Sequence, residues 1–302
     1  MINYKFRNNH QIGFCGLGKQ SQKLMIILKK RGMKVISAYN KNNLNNKTIT
    51  KKIYPEINFF NSYKDLLNSG INIIFIATSH EDNYKFAIKA INKKINVFVE
   101  KPVFKNLKQI NNLYNLVKKN NVFFQINYKF IFSPLFNFIT KLETINIQNI
   151  FFEWKKYGKF NNEILYELAI HDFAILFNVF INYKINKFKF ISKIIEKDFI
   201  FFHFKIDEKN IVILIDRISD IYERKISFYL KKDLKYLMCF KNRNVIKYKS
   251  DKLIKINKFN DKFDENYYSI DYFLSSISKK IKINSMKKID VEIINIMNKI
   301  KK

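Results

Sequence analysis

Three short groupings in this chain have the residue types and spacing for chemistry. Gly16-Leu17-Gly18-Lys19-Gln20-Ser21 follows the apolar stretch Ile12–Cys15 and precedes a segment of helical spacing. In that context Gly16 makes a tight turn and Gly18 lets the backbone approach a pyrophosphate. The helix N-terminus then offers its free N–H groups to the anion. Ser21 stands where a third small residue is usual, and is small enough for close helix packing. Glu100-Lys101-Pro102 closes an apolar run. There the Lys101 ammonium can bond a substrate hydroxyl and assist proton movement, while Pro102 fixes the direction of the chain. Glu167 and His171 are four apart and share a face if their segment is helical. A carboxylate so placed orients or charges an imidazole that takes a hydroxyl proton as hydride leaves.

The elements that must position these residues are legible as a pattern. "QIGFCGLG" reads as a strand running into a glycine turn, "KQSQKLMIILKKR" as a helix ended by Gly32, and "MKVISAY" as a second strand. "INIIFIAT" (71–78) and "INVFVEKP" (95–102) are continuous apolar runs of strand length, the kind buried on both faces of a parallel sheet. Helices fall between and after them at 80–94 and over "LKQINNLYNLVKKN", and "NVFFQINY" is a further strand. This alternation predicts an α/β fold that opens with a Rossmann doubly wound parallel sheet, residues 1–126. Beyond Tyr128 the pattern changes to successive strands, "NIFFEWKKY", "KFKFISKI", "FIFFHFKI", "IVILID", "RKISFYL" and "YLMCF". A helix interrupts them at about 163–181, and two more follow near 264–280 and 287–300. Residues 127–302 therefore read as a C-terminal α+β domain on a largely antiparallel open sheet, serving substrate binding and oligomerisation.

Composition narrows the choice of partner. The formal net charge is +31, yet Lys, Asn, Ile, Phe and Tyr are all abundant while Gly (6), Pro (3) and Trp (1) are scarce. The abundant types have AT-rich codons, so base bias accounts for the lysines, which are scattered rather than striped. A specific nucleic-acid partner is not indicated. Three of the six glycines, Gly13, Gly16 and Gly18, crowd into one segment, which marks a backbone need there. No stretch of membrane-spanning length runs free of charge, and Met1–Gln11 lacks a signal-peptide core. Cys15 and Cys239 read as reduced thiols, with no disulfide framework or metal site. These features describe a cytoplasmic protein. His10, His80 and His203 read as structural.

The end of the second strand, where an acidic residue often bonds the adenosine ribose, falls on Asn40 and Lys41. An amide and a cation do not repel a 2′-phosphate, so the reading leans to NADP over NAD.

The pieces "IGFCGLGKQSQ", "INIIFIATSHEDNYKFAIKAINKKINVFVEKPV", "QINYKFIFSP" and "ILYELAIHDFAIL" together resemble the Gfo/Idh/MocA oxidoreductases, in that family's order and spacing. The family includes glucose–fructose oxidoreductase and inositol dehydrogenase. The resemblance covers most of residues 11–182. It implies hydride transfer between a nicotinamide and a hydroxyl-bearing carbon of a sugar, cyclitol or sugar nucleotide. It makes Lys101 and His171 the catalytic lysine and histidine, and Glu167 the acidic residue four positions earlier. Gly16, Gly18, Lys19, Gln20, Asn40, Lys41, Thr78, Glu100 and Lys101 line the cofactor, and no metal is implied. "LYELAIHDFAIL" looks most like members associated with surface-polysaccharide sugars.

The chain departs from the family pattern at four places: Asn83 where His is common, Glu167 for Asp, Ala174 for a second Asp, and Lys129 for a frequent Arg. The alternative reading is a dinucleotide-binding sensor or scaffold that has lost turnover. "FIFFHFKI" and "IVILID" are apolar on both faces, which points to a homodimer or homotetramer through the C-terminal sheet.

Overall fold

The computed structural model describes residues 10–41, 44–139, 144–156, 164–259, 264–279 and 285–301. The polar leader before residue 10, Tyr157, residue 163 of the expected helix and residue 280 lie outside them. Two compact units divide the chain: one is 1–128 with 266–302, the other 129–265.

The first unit begins with strict alternation. Its elements are β1 (Ile12–Cys15), α1 (Lys19–Lys30), β2 (Val35–Tyr39), α2 (Leu44–Ile53), β3 (Asn58–Phe60), α3 (Tyr63–Leu67), β4 (Ile73–Ile76), α4 (His80–Asn92), β5 (Asn96–Val99), α5 (Leu107–Asn120) and β6 (Phe124–Ile126). The sheet order is β3-β2-β1-β4-β5-β6, and every neighbouring pair is parallel. β1 and β4 are buried at every residue, as expected of strands covered by helices on both faces. Strand order reverses between β1 and β4, so the turn leaving β1 opens at the crevice where such sheets bind ligands. The sequence pattern misses α2, β3 and α3. Their stretch, 44–67, is rich in Asn and Lys and carries only short apolar runs.

The second unit holds a 3₁₀ turn at Lys129–Phe132, α6 (Pro134–Ile139), β7 (Ile147–Lys155), a π-helical turn at Leu165–Ala169 and α7 (Ile170–Val179). Then come β8 (Phe188–Ile195), β9 (Phe199–Ile206), β10 (Lys209–Asp216), β11 (Glu223–Leu230), β12 (Leu234–Cys239), β13 (Asn244–Lys249) and β14 (Lys252–Lys258). They form one sheet, β14-β13-β12-β11-β7-β10-β9-β8, antiparallel except for β7 beside β10. Phe202, Phe204, Ile211, Ile213 and Ile215 are fully buried on one face. The alternate residues Phe199, Phe201, Val212 and Leu214 are only partly covered. Ser250 and Asp251 join the last two strands with φ of 47° and 60°, the conformation of a type I′ hairpin turn, here made without glycine.

α8 (Glu265–Lys279) and α9 (Ser285–Ile300) close the chain. The sequence reading assigns them to the second domain, but they belong almost wholly to the first unit. Phe273 of α8 packs edge-on against Phe75 and Phe98 of the parallel sheet, with centroids 5.8 and 5.3 Å apart. Gln125 donates to Ser269, and Asp290 of α9 accepts from Tyr114 and Tyr128 at 2.6 and 2.9 Å. These helices complete a core begun more than 140 residues earlier, a closure that no local pattern announces.

Candidate active site

The glycine turn is fixed from both sides. Gly16 has φ +88°, and a Cβ on it would collide with the carbonyl oxygen of Ala77. Only glycine satisfies both constraints. Its N–H donates to Tyr39 O at 2.9 Å, and Leu17 N–H donates to Asn40 Oδ1 at 3.3 Å. The turn is thereby tied to the end of β2. Gly18 is different. Its φ is −68°, open to any residue, and a Cβ there would meet nothing within 4 Å. Nothing in the fold demands glycine at 18, so the glycine leaves open the space in front of α1. That helix has no side-chain cap and no acidic residue in its first turn. Its N–H groups therefore suit an anion, and the residues present fit a dinucleotide pyrophosphate. Ser21 is fully buried, as close packing of the helix requires.

The other expected cofactor residues lie at the same carboxyl edge, though several are engaged with one another. Gln20 Nε2 donates to Glu100 Oε1 at 2.8 Å, and Asn127 Nδ2 to the same oxygen at 2.6 Å. Both also reach Asn266 Oδ1, at 3.3 and 2.9 Å. Gln20 and Glu100 thus tie the start of α1 to the end of β5. Asn127 and Asn266 are members of this network that the sequence reading missed. Asn127 sits in the quoted "QINY", but Asn266 gives no signal 246 residues from Gln20. Lys19 is exposed on the first turn of α1. Thr78 follows β4 and donates its N–H and hydroxyl to Asn83 Oδ1, at 3.2 and 2.8 Å. Lys41 is exposed, but its ammonium lies 3.3 Å from Asp82 of α4. This carboxylate beside the expected ribose site is a further feature absent from the sequence reading. Lys101, partly exposed, follows Glu100 directly and precedes Pro102 through a cis peptide.

Glu167 and His171 belong to the second unit. Glu167 lies in the π-helical turn and His171 in the first turn of α7. π turns of this kind recur at functional sites. The imidazole, 6% exposed, packs edge-on against Phe130 at 5.0 Å and tilted against Trp154 at 6.2 Å. Next to it Asp172 accepts from Arg224 at 3.1 Å, both side chains being nearly inaccessible. The Arg224 guanidinium lies 3.3 Å from the Phe130 ring centre, 3.6 Å from Trp154 and 4.6 Å from Phe240. Burial raises the Asp172 carboxyl to about 6, against the opposing pull of Arg224. An ion pair this deep is held by its aromatic packing and hydrogen bond rather than by Coulomb attraction alone. Ala174 is fully buried, so its place takes a methyl group. Among the described residues no group of His, Cys, Asp and Glu could hold a metal ion, and no helix is long and apolar enough to cross a membrane.

A parallel six-stranded sheet with a glycine turn at its switch point, in front of an uncapped helix, defines a dinucleotide-binding Rossmann domain. Residues 10–128 match the family model for oxidoreductases with an NAD-binding Rossmann fold, Gfo/Idh/MocA. Solved structures match over nearly the whole chain. A dehydrogenase (MviM) from Clostridium difficile is 19% identical, with a TM-score of 0.81 over 97% of this chain and 98% of that one. UDP-N-acetylglucosamine 3-dehydrogenase GnnA from Acidithiobacillus ferrooxidans is 13% identical, with a TM-score of 0.82 over 95% of each chain. KijD10, a 3-ketoreductase from Actinomadura kijaniata in complex with NADP and TDP-benzene, is 10% identical, with a TM-score of 0.79 over 96% of each. At these identities the likeness establishes the fold. No curated protein sequence matches.

Proposed function

We propose that the protein is an NAD(P)-dependent oxidoreductase acting on a CH–OH or keto carbon of a sugar, cyclitol or sugar nucleotide. The observation that carries this reading is the edge of the parallel sheet. There a glycine turn suited to a pyrophosphate and the Glu100-Lys101-Pro102 segment are tied into one network through Gln20 and Glu100. The similarity to GnnA and KijD10, by name a sugar-nucleotide dehydrogenase and a 3-ketoreductase, supports the substrate class.

Oxidation of an alcohol removes a hydride from carbon and a proton from oxygen. The bound nicotinamide supplies the hydride acceptor, or the donor in the reverse direction. Gly16, Gly18 and the first turn of α1 hold the pyrophosphate. Lys101 donates a hydrogen bond to the reacting oxygen, which stabilises the charge that develops on it. His171 takes the proton, and Glu167, one turn away, orients the imidazole. The chain acts as a homodimer or homotetramer through the partly covered face of its large sheet.

Replacing Lys101 by Met tests the assignment. Turnover is expected to fall by about 10²–10⁴-fold, the usual worth of a positioned proton-transfer group. Dinucleotide affinity should stay near that of the wild type, because the pyrophosphate rests on the glycine turn. A variant that turns over an established substrate at the wild-type rate would make Lys101 structural. A wild type that binds dinucleotide yet turns over nothing across a panel of sugars and sugar nucleotides would point to the sensor.

A further inference from the structure

Asn83 stands where the family resemblance leads one to expect histidine, and it is fully buried in the first turn of α4. Its carboxamide makes four hydrogen bonds. Oδ1 accepts from Thr78 N–H at 3.2 Å and from the Thr78 hydroxyl at 2.8 Å. Nδ2 donates to the carbonyl of Glu100 at 2.9 Å and to that of Pro102 at 3.3 Å. A carboxamide has two donor hydrogens and two acceptor sites, so its capacity is filled inside the protein. It is a strut rather than a ligand contact.

The two carbonyls it holds belong to the residues on either side of Lys101. One NH₂ group therefore pins the backbone before and after the lysine, and through Oδ1 ties that segment to the end of β4. Without it each carbonyl loses its buried donor. The segment would then turn toward water and carry Lys101 with it. A neutral histidine offers one donor and one acceptor, so it could not bracket Lys101 in this way.

We propose that Asn83 is the positioning residue for Lys101, setting the placement of its ammonium by holding the carbonyls of Glu100 and Pro102. The proposal rests on the reading of Lys101 as the group that aligns the reacting oxygen, and its test separates the two. Wild type, N83L, N83H, K101M and the N83L/K101M double variant are compared by dinucleotide titration, by steady-state kinetics and by trace acetylation. The acetylation, resolved by site in mass spectrometry, compares Lys101 with exposed Lys108. N83L should bind dinucleotide within a few-fold of wild type while kcat falls about 10²-fold, the cost of a displacement near 1 Å. In the K101M background the same change should cost nothing further. The acetylation rate of Lys101 should shift several-fold, with Lys108 unmoved.

Wild-type kcat and wild-type Lys101 labelling in N83L would overturn the proposal, as would full additivity with K101M. Should N83L fail to bind dinucleotide, N83H carries the test. It keeps one donor and is expected to show a smaller loss of kcat and a shifted labelling rate, and wild-type values for both would overturn the proposal. If the wild type turns over no substrate, the function reading fails, and the labelling of Lys101 still decides the role of Asn83.

Discussion

Asp290 lies wholly inside the first unit, where Tyr114 and Tyr128 donate to its two carboxylate oxygens at 2.6 and 2.9 Å. Burial pushes the carboxyl up to about 7, against the two hydrogen bonds, which pull it down. In the unfolded chain an aspartate titrates near 3.9. Between about pH 4 and pH 7 the native state therefore holds a proton that the unfolded state has released. Stability from this site must then fall as pH rises through that window and level off above it. The gap of about 3 in pKa corresponds to about 4 kcal/mol, a large part of the 5–15 kcal/mol typical of a domain. Asp290→Asn removes the titration but keeps an acceptor for one tyrosine and a donor for the other. The variant should gain on the wild type from about pH 4 to pH 7 and hold that gain above it, up to about 4 kcal/mol. Urea titrations followed by far-UV circular dichroism at unit steps of pH read the difference directly. Parallel stability profiles for the two proteins would show that Asp290 is ionised in the native state at pH 5, and the argument from burial would fail.

NADPH should bind at least as well as NADH, measured by nicotinamide fluorescence. Because Asp82 lies 3.3 Å from Lys41, Asp82→Asn should raise the NADPH-to-NADH affinity ratio a few-fold, the scale of an exposed ion pair. A clear NADH preference that neither Asp82→Asn nor Asn40→Asp alters would place the ribose elsewhere. Light scattering at micromolar concentration should show at least a dimer, and Leu214→Lys on the partly covered face of the large sheet should lower the mass; a monomeric wild type would refute this assembly.

What the sequence makes legible follows from what is local. β1, β4 and β5 declare themselves because strands buried on both faces must be apolar throughout. The glycine turn declares itself because Gly16 needs a positive φ in contact with another backbone. β13 and β14 are hidden by their turn: Ser250-Asp251 adopts the type I′ shape without the Asn-Gly pair that would mark it. Lys252, Lys255 and Lys258, spaced by three, further blur the strand pattern of β14. The π turn before His171 has no compositional mark. Gln20 and Asn127 meet at Glu100 after β5 and at Asn266 of α8, and Asp290 of α9 meets Tyr114 of α5 and Tyr128 beyond β6, so the network that braces the Lys101 segment and the docking of the last helices depend on closure across the whole unit.

Compositional bias turns scarcity into a signal, and arginine extends the argument from glycine. The chain has five arginines among 56 basic residues. The four that are described, Arg31, Arg217, Arg224 and Arg243, each pair with a carboxylate, and their side chains are 8%, 5%, 4% and 20% exposed. Arg31 also lies over the Tyr267 ring at 3.9 Å, and Arg224 is stacked among three aromatic rings. The ion-paired lysines are more open: Lys41 and Lys105 are 68% and 64% exposed, Lys155 and Lys225 both 26%. A guanidinium is planar, weakly hydrated and able to stack while it bonds a carboxylate, whereas an ammonium is a compact, strongly hydrated charge. Among these ion-paired residues lysine therefore serves the more solvated places and arginine those where charge must be taken out of water; outside them Lys209 is a buried lysine, its ammonium donating to the Ile147 carbonyl. By the same reasoning the Asp172–Arg224 pair beside His171 resists exchange to lysine, since an ammonium there would lose the stacking that offsets its desolvation.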